Sequence, residues 1–379
     1  MKLIIGADLI PTKANYSAFI NGDITTIVGT ELADLLKSAD YRLFNLESPL
    51  TSKNNSISKN GPAHYTPVEA VTGYEKLGVD LLTLANNHIL DQGQDGLKET
   101  INLLKDRHIS FLGAGENIDS AQKPFYITVD GVKIGFFACV ENEFSCATKD
   151  SFGANPYDPL ISFDIVADMK NKCDKIIILF HGGRENYRYP SPQLQRVCRK
   201  FIDVGADLLI CQHSHCIGCM EEYNGGRIIY GQGNFVFAEN VYKGWKTGLL
   251  LQICDGFQLE FVPVVQTLHG TRLANNEEAK SILEDFYQRS EEIKSPDFIE
   301  KKYQEIAKRK AYYYSLILLG KENSIFVRVL NKLTGERFSR AMVNRISKRT
   351  LLKWDNYIKC ESHRELLLAG LKELVDKKK

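Results

Sequence analysis

The sequence predicts a layered α/β domain over residues 1–270, followed by a basic, mainly helical extension over residues 271–379. In the first part, short β-branched runs alternate with amphipathic segments, which is typical of sheets covered by helices. Of 28 glycines only three follow residue 270, and of 11 prolines only Pro296 does. The turn-rich architecture therefore ends near residue 270.

The apolar pattern predicts individual elements. Five apolar runs are expected to be buried strands, at residues 2–7, 41–46, 80–84, 175–180 and 207–211. Apolar residues at three- and four-residue spacing predict helices at residues 69–77, 93–107 and 192–204, and in the extension at 277–293, 298–319 and 350–375. Asp-Gly turns predict two hairpins, which pair residues 125–130 with 133–139 and residues 248–254 with 257–262.

Charge is divided unevenly along the chain. The whole sequence has 48 Lys plus Arg against 47 Asp plus Glu, and the net charge of +1 excludes a generally basic nucleic-acid binder. Residues 1–300 contain 28 basic and 39 acidic residues, a net of −11, whereas residues 301–379 contain 20 and 8, a net of +12. The basic part could bind an anionic membrane surface, a polyanionic polymer or the acidic first part of the chain. Alternatively, its charges simply cover solvated helix faces. It has no recognisable nucleic-acid-binding module, so a nucleic-acid partner is not expected.

The sequence predicts a cytoplasmic protein. Its start reaches Gly6 and Asp8 too soon for a signal peptide, and no stretch approaches the roughly 18 to 20 apolar residues of a membrane-spanning helix. The nine cysteines are odd in number and scattered, which suits reduced thiols. Nothing in the sequence indicates the oligomeric state.

Five predicted strands end in polar residues that are typical of metal sites. The carboxyl ends of such strands gather around one crevice. The residues are Asp8, Asn45 with Glu47, Asn86-Asn87-His88, His181, and His213 with His215. Singly, each also suits a turn cap or a hydrogen-bonded structural role. His213 and His215 alternate in a segment that we expect to be extended, so both imidazoles would point the same way. Together the carboxylates and imidazoles suit Zn²⁺, Mn²⁺ or Fe²⁺.

The order of these motifs resembles the bacterial capsule-synthesis, or poly-γ-glutamate synthesis, CapA family. The matching segments are Gly-x-Asp at 6–8, Asn-Leu-Glu-Ser-Pro-Leu at 45–50, Leu-Ala-Asn-Asn-His-Ile-Leu-Asp-Gln-Gly at 84–93, His-Gly-Gly-Arg-Glu-Asn-Tyr at 181–187, Gly-Ala-Asp-Leu-Leu-Ile-Cys-Gln-His-Ser-His at 205–215 and Ile-Tyr-Gly-Gln-Gly-Asn-Phe-Val-Phe at 229–237. The resemblance spans about residues 3–262. That family is similar to the calcineurin-like metallophosphoesterases, which implies a four-layered αββα fold with a two-metal centre.

The resemblance also implies roles for individual residues. The six expected ligands of two divalent ions (Mn²⁺, Zn²⁺ or Fe²⁺) are Asp8, Glu47, Asn87, His181, His213 and His215, and Asn45 is a further candidate. His88, next to Asn87, is the expected catalytic imidazole. The expected substrate-binding residues are Asn86, Arg184, Tyr187 and Asn234.

Four positions depart from the phosphoesterase pattern. Ile10 stands where Asp-x-His would have its histidine, and Cys211 with Gln212 replaces the usual Gly-His before His-x-His. Arg184 follows His-Gly-Gly where an acidic or small residue is commoner, and its guanidinium offers a planar fork for phosphate or carboxylate.

The function implied is that of a metal-dependent hydrolase, most simply a phosphoesterase in capsule or cell-envelope polysaccharide metabolism. Two cations about 3.5 to 4 Å apart lower the pKa of a shared water and neutralise phosphoryl oxygens. The expected substrate is anionic, either phosphorylated or polymeric. Two alternatives stay open: amide hydrolysis or synthesis on a γ-glutamyl polymer, because the same hydroxide attacks carbonyl carbon, and a non-catalytic role in polymer biosynthesis.

Overall fold

The computed structural model describes residues 1–237, 243–335 and 337–378, so Lys379, the last residue of the predicted extension, lies outside the described residues. Its strands, β1 to β16 in chain order, are Leu3–Ile10, Tyr41–Leu46, Leu81–Thr83, Ser110–Leu112, Ala114–Gly115, Phe125–Val129, Val132–Val140, Gly153–Ala154, Lys175–His181, Leu208–Gln212, Met220–Tyr223, Gly226–Ile229, Asn234–Phe237, Thr247–Cys254, Gln258–Gln266 and Thr271–Leu273. Its helices, α1 to α13, are Tyr16–Asn21, Ile24–Lys37, Val71–Lys76, Gly93–Asp106, Ile118–Ala121, Ser162–Met169, Pro192–Asp203, Asn276–Glu292, Phe298–Leu318, Ile325–Thr334, Arg337–Asn344, Lys348–Lys359 and Glu361–Asp376.

Two main sheets contain most of these strands. The first has the order β16-β15-β14-β1-β2-β3-β4, with β13 also paired to β1, and the second has the order β11-β12-β10-β9-β7-β6. Strands β1 to β4 are parallel to one another, and β12, β10, β9 and β7 are parallel within the second sheet. Residues that follow parallel neighbours meet at one edge of each sheet.

Alternate residues of the strands pack into different layers. In β1, Leu3 and Ile5 pack between the two sheets, whereas Ile4 packs in the core that contains Phe19 and Tyr74 of helices α1 and α3. The outer side of the second sheet packs in the same way against α6 and α7. Because side chains alternate along a strand, one buried strand can contribute to two cores. The predicted four-layered αββα sandwich, followed by helices, is confirmed.

Turn chemistry explains the two predicted hairpins. Strands β6 and β7 pair antiparallel around Asp130 and Gly131, whose φ angles of 50° and 79° suit a tight hairpin turn. Strands β14 and β15 pair around a three-residue turn in which Gly256 and Phe257 have φ angles of 70° and 61°. The second turn is one residue longer than Asp-Gly alone predicts.

The chain divides into two compact units, Met1–Glu300 and Lys301–Lys379. Helix α8 packs against β11 and β15, so it lies within the first unit although it follows the boundary predicted at residue 270. The second unit is helical, and the helix predicted over residues 350–375 is two helices, α12 and α13, that meet at Cys360. No helix among the described residues is long and apolar enough to cross a membrane.

Candidate metal centre

The six side chains predicted as metal ligands meet where the strand ends of both sheets come together. Asp8 lies in β1 at a register shift, and Glu47 and Asn87 follow β2 and β3. His181 ends β9 of the second sheet, and His213 and His215 follow β10. All six are buried, and the two carboxylates have no exposed surface. The sequence therefore identified residues that the fold brings together from both sheets.

The ligand atoms form two groups that share one carboxylate. Glu47, His181 and His213 form the first group, and Asp8, Glu47 and His215 form the second; within each group the ligand atoms lie within 4.8 Å of one another. Asn87 adjoins the first group, with its Oδ1 3.1 Å from His181 Nε2. This arrangement suits two neighbouring cations with Glu47 between them.

The chemistry of the donor set fits divalent ions. Asp8 Oδ2 and both oxygens of Glu47 accept no hydrogen bond from any residue that the structure describes, although all three atoms are buried. Imidazoles approach these oxygens, with His181 Nε2 3.2 Å from Glu47 Oε1 and His215 Nδ1 3.3 Å from Asp8 Oδ2. Two buried carboxylates need more positive charge than that to offset their desolvation, and a divalent cation supplies it. Burial and the nearby Asp8 raise the pKa of Glu47 well above its usual range. A site of this kind favours additional positive charge.

The three imidazoles differ in their electrostatic surroundings. Burial lowers the pKa of His181 to about 4 and lowers the pKa of His213 well below its usual range, so both are neutral, which is the form that binds metal. Burial also acts to lower the pKa of His215, but the carboxylates of Glu47 and Asp8 raise it to about 10. The same two carboxylates would hold a metal ion in place of that proton.

The turn that bears His213 and His215 differs from the extended segment that the sequence predicts. Both residues have left-handed backbone conformations, with φ angles of 84° and 53°. The two imidazoles therefore enter different ligand groups through a bend rather than through alternation along a strand. Left-handed non-glycine residues carry strain and are common at functional sites.

His88 is held by charged residues on its Nδ1 side. Its Nδ1 lies 2.7 Å from Asp91 Oδ2, and the Nζ of Lys59 donates to the other oxygen of Asp91. Asp91 Oδ2 also accepts the backbone N–H of His64 at 2.6 Å. The Nδ1–H of His88 donates a hydrogen bond to Asp91, so Nε2 is the ring nitrogen that has no hydrogen-bond partner among the described residues. Burial lowers the pKa of His88, although Asp91 acts to raise it.

Three asparagines predicted near the site hold it together. Asn45 Nδ2 donates to Asp8 Oδ1 at 2.8 Å, and Asn86 Nδ2 donates to Asn45 Oδ1 at 3.0 Å. Asn86 Oδ1 accepts the backbone N–H of His88, so both ends of this amide bind protein. Asn234 Oδ1 accepts from Nδ1 of His215 at 2.9 Å, which leaves Nε2 of that imidazole for an ion. The structure thus places Asn86 and Asn234, both fully buried, in contact with His88 and His215.

Arg184 and Tyr187 lie on the loop of residues 182–190, which follows His181. The backbone N–H of Asn186 donates to Ser214 O at 3.0 Å, so this loop is fixed to the turn between the two ligand histidines. Asn186 Oδ1 accepts from Nε1 of Trp245 at 2.8 Å, and the Trp245 ring lies 4.6 Å from that of His215. The loop therefore borders the ligand cluster on the His215 side.

Sequence reasoning assigned no role to several residues around this site. Asp91 lies three residues after His88, within the segment 84–93. Side chains at this spacing are neighbours in a turn, so the sequence could have indicated this contact. Lys59 lies 32 residues before Asp91 and gives no such signal. Trp245, which lies just before β14, stacks on Phe237 of β13, and the Phe237 ring contacts that of His215. These contacts form only when β13 and β14 join the first sheet. Spacing along the chain does not predict these two contacts.

Comparisons with known proteins agree with the geometry. The sequence model of the family described as "Bacterial capsule synthesis protein PGA_cap" matches residues 2–239. The chain is 31% identical over 215 residues to "PGA biosynthesis protein CapA" of Bacillus subtilis (strain 168), covering 56% of each chain. It is 30% identical over 230 residues to "Capsule biosynthesis protein CapA" of Bacillus anthracis, covering 58% of this chain and 55% of that one. The chain thus spans about half the length of the curated relatives it matches.

Among solved structures, the chain is similar to one described as a novel phosphatase from Mycoplasma pneumoniae. The TM-score is 0.43 and the sequence identity 15%, with 70% of this chain and 93% of that chain covered.

Replacing Glu47 with Gln should weaken metal binding at both ligand groups, because both contain this carboxylate. We expect affinity for Mn²⁺ or Zn²⁺ to fall by more than about 100-fold, since changes outside the ligands alone already cost about 10- to 100-fold. Elemental analysis after equilibrium dialysis measures this effect. The exposed Glu143→Gln is the matched control. Retention of two ions by the Glu47→Gln protein would show that this carboxylate is not shared.

In the metal-free protein, the same substitution should change how stability depends on pH. The folded-state pKa of Glu47 lies well above 4.5, so its favourable contribution is complete below that value and is lost as the pH rises. With the metal removed by chelator, Glu47→Gln should therefore stabilise the protein at pH 8, by about 1.4 kcal/mol for each unit by which the pKa of Glu47 is raised. Near pH 4 the substitution should have little effect on the free energy of unfolding. Denaturant unfolding with chelator present measures the difference. Parallel stability curves for the two proteins would contradict it.

Proposed function

The chain belongs to the bacterial capsule synthesis protein PGA_cap family, and on that premise we propose that it is a metal-dependent hydrolase of phosphoesters in capsule or cell-envelope polymer metabolism. The observation that carries the proposal is the pair of buried ligand groups that share Glu47. Buried oxygens without hydrogen bonds support a cation rather than a structural role for this cluster.

The proposed ligands are those predicted from the sequence. His181, His213 and Asn87 would hold one ion and Asp8 with His215 the other, with Glu47 between them. Two bound divalent ions, whether Mn²⁺, Zn²⁺ or Fe²⁺, supply Lewis acidity toward phosphoryl oxygens and lower the pKa of water. Asn45 supports the second group through its hydrogen bond to Asp8.

His88 is proposed as the residue that moves a proton. Its Nδ1–H donates to Asp91. Without substrate, burial lowers the pKa of His88 and so favours the neutral imidazole. An anionic substrate beside the ring raises the pKa of an imidazole, because opposite charge favours the protonated form. His88 then carries a proton on Nε2 and gives it to the leaving oxygen.

The loop of residues 182–190 is proposed to contact the substrate. Arg184 is three residues from His181, and a guanidinium binds a phosphate or carboxylate through two parallel hydrogen bonds. Tyr187 packs edge-on against Tyr189, at 6.0 Å between ring centres, and offers a ring surface on the same loop. Asn86 and Asn234 are proposed to act through His88 and His215, which they position.

His88→Asn should lower phosphoester hydrolysis by about 10²- to 10⁴-fold, the range that general acid–base catalysis contributes. The assay uses an aryl phosphate monoester and an aryl phosphodiester with Mn²⁺ present. Metal content should be unchanged, because His88 belongs to neither ligand group. The exposed His108→Asn is the matched control: its φ of 55° suits asparagine.

The assay also separates the alternatives. No hydrolysis of either ester by wild-type protein that contains its metal ions would contradict the phosphoesterase proposal. Release of glutamate from a γ-glutamyl oligomer, abolished by His213→Ala, would support amide hydrolysis, which the names of the Bacillus relatives make relevant. Absence of both activities with metal bound would support a non-catalytic role in polymer biosynthesis.

We also propose that the second unit contacts an anionic membrane surface from the cytoplasm. Helix α10 exposes four large apolar side chains, which fall within about 100° of one another around the helix: Ile325, Phe326, Val329 and Leu333. Arg328 and Lys332 flank this stripe, and residues 301–379 have a net charge of +12. A basic helix with an exposed apolar stripe favours the interface of an anionic bilayer. The nine free thiols support a reducing compartment.

Vesicle sedimentation tests this membrane contact. The full chain should bind vesicles containing phosphatidylglycerol and not pure phosphatidylcholine, and binding should weaken as salt is added. Ile325→Ser with Phe326→Ser should reduce binding at least about tenfold, because about 0.8 kcal/mol is lost for each CH₂ group no longer buried. Leu268→Ser, at a residue that is 71% exposed in the first unit, is the control. Equal binding of the double variant and wild type would contradict insertion of α10.

A further inference from the structure

A cleft of about 660 Å³ lies beside the candidate metal centre, and helix α8 forms one of its walls. Cys216, which directly follows His215, lines the cleft together with Asn186 of the loop over residues 182–190. Asn186 also binds the Trp245 ring that packs on His215. One residue of the cleft wall, Cys216, is therefore the direct chain neighbour of the proposed metal ligand His215.

Two arginines from different parts of the chain line this cleft. Arg188 comes from the loop that also bears Arg184, and Arg289 comes from α8. Arg289 is only 8% exposed, and its Nε donates to Gly218 O at 2.8 Å, which fixes the plane of the guanidinium. Its Nη1 lies 4.0 Å from Asp285 Oδ2, and its terminal nitrogens donate no hydrogen bond to any other residue that the structure describes.

Among the described residues that line the cleft, two guanidinium groups face one carboxylate, that of Asp285. Arg188 forms no hydrogen bond or ion pair within the described part of the chain, and the carboxylate of Asp285 is 64% exposed. The nearby Glu292 accepts a hydrogen bond from the hydroxyl of Tyr189. Burial and the charge of Arg188 both lower the pKa of Arg289, so the two guanidinium groups disfavour each other. Two adjacent cations, one of them buried with open donors, favour an anion between them.

We propose that Arg188 and Arg289 bind an oxyanion, a carboxylate or a phosphate, that belongs to the substrate but lies outside the bond that is cleaved. The proposal rests on the proposed function, since it takes the metal centre as the place of cleavage. A substrate with one anionic group at the centre and a second in the adjacent cleft carries at least two anionic groups, as an oligomer or polymer with repeated anionic groups does. The pair thus selects polyanionic chains over small monoesters.

The experiment measures binding without catalysis. Isothermal titration calorimetry with chelator present uses two probes, inorganic tripolyphosphate and a tri-γ-glutamate peptide. Wild type should bind at least one of them, and Arg188→Gln should weaken that binding at least about tenfold, because a hydrogen bond to a charged group is lost. Arg289→Lys should weaken it similarly, since lysine keeps the charge but loses the fork. The exposed Arg196→Gln of α7 should bind as wild type does.

Each outcome decides a separate point. Tighter binding of tripolyphosphate identifies a phosphate site, and tighter binding of the peptide identifies a carboxylate site. Equal affinity of Arg188→Gln and wild type, or no binding of either probe to wild type, would overturn the inference. Arg188→Gln keeps the test valid if Arg289→Lys fails to fold. Failure of the proposed phosphoesterase activity would be seen in the ester assay and not in this titration, so the two failures are distinguishable.

Discussion

The site depends on burying two carboxylates where the strand ends of two sheets meet. Asp8 and Glu47 have no exposed surface, and Glu47 has no hydrogen bond from the described residues. Such a pair is stable only with compensating positive charge close by. Of the three imidazoles that the opposite sheet brings to this pair, His215 can supply that charge, because its pKa is raised to about 10, whereas His181 and His213 are neutral. The sandwich is therefore built so that acidic ligands come from one sheet and histidines from the other.

Strong apolar runs explain why much of the fold was predictable. The central strands β1, β9 and β10 are buried on both sides and give nearly continuous apolar sequence. Short strands such as β13 and β16 give three or four residues and no clear period. The two C-terminal helices share one apolar period, so the sequence predicts a single helix, and Cys360 with its extended backbone ends the first of them.

That the candidate ligands lie together was predictable because they lie at or after strand ends, whereas the supporting contacts were not predictable. Asn86 and Asn234 resemble substrate-binding amides in sequence, yet their amides hold His88 and His215. Gln212, which departs from the phosphoesterase pattern, donates to Gly6 O and to Gln232 Oε1 and so links the second sheet to β1. Apart from the contact of Asn86 with His88, these contacts join residues 19 or more positions apart, and a side-chain type alone does not predict its partner.

The left-handed turn at His213 and His215 also bears on which metal the site selects. A left-handed backbone at a non-glycine residue occupies a narrow region of conformation, so the turn restricts the backbone positions from which the two imidazoles extend. Ca²⁺ takes six to eight oxygen ligands in flexible geometry, and Mg²⁺ keeps much of its water. The imidazole nitrogens that this turn presents are donors that transition metals and zinc accept more readily than these two oxygen-binding ions do.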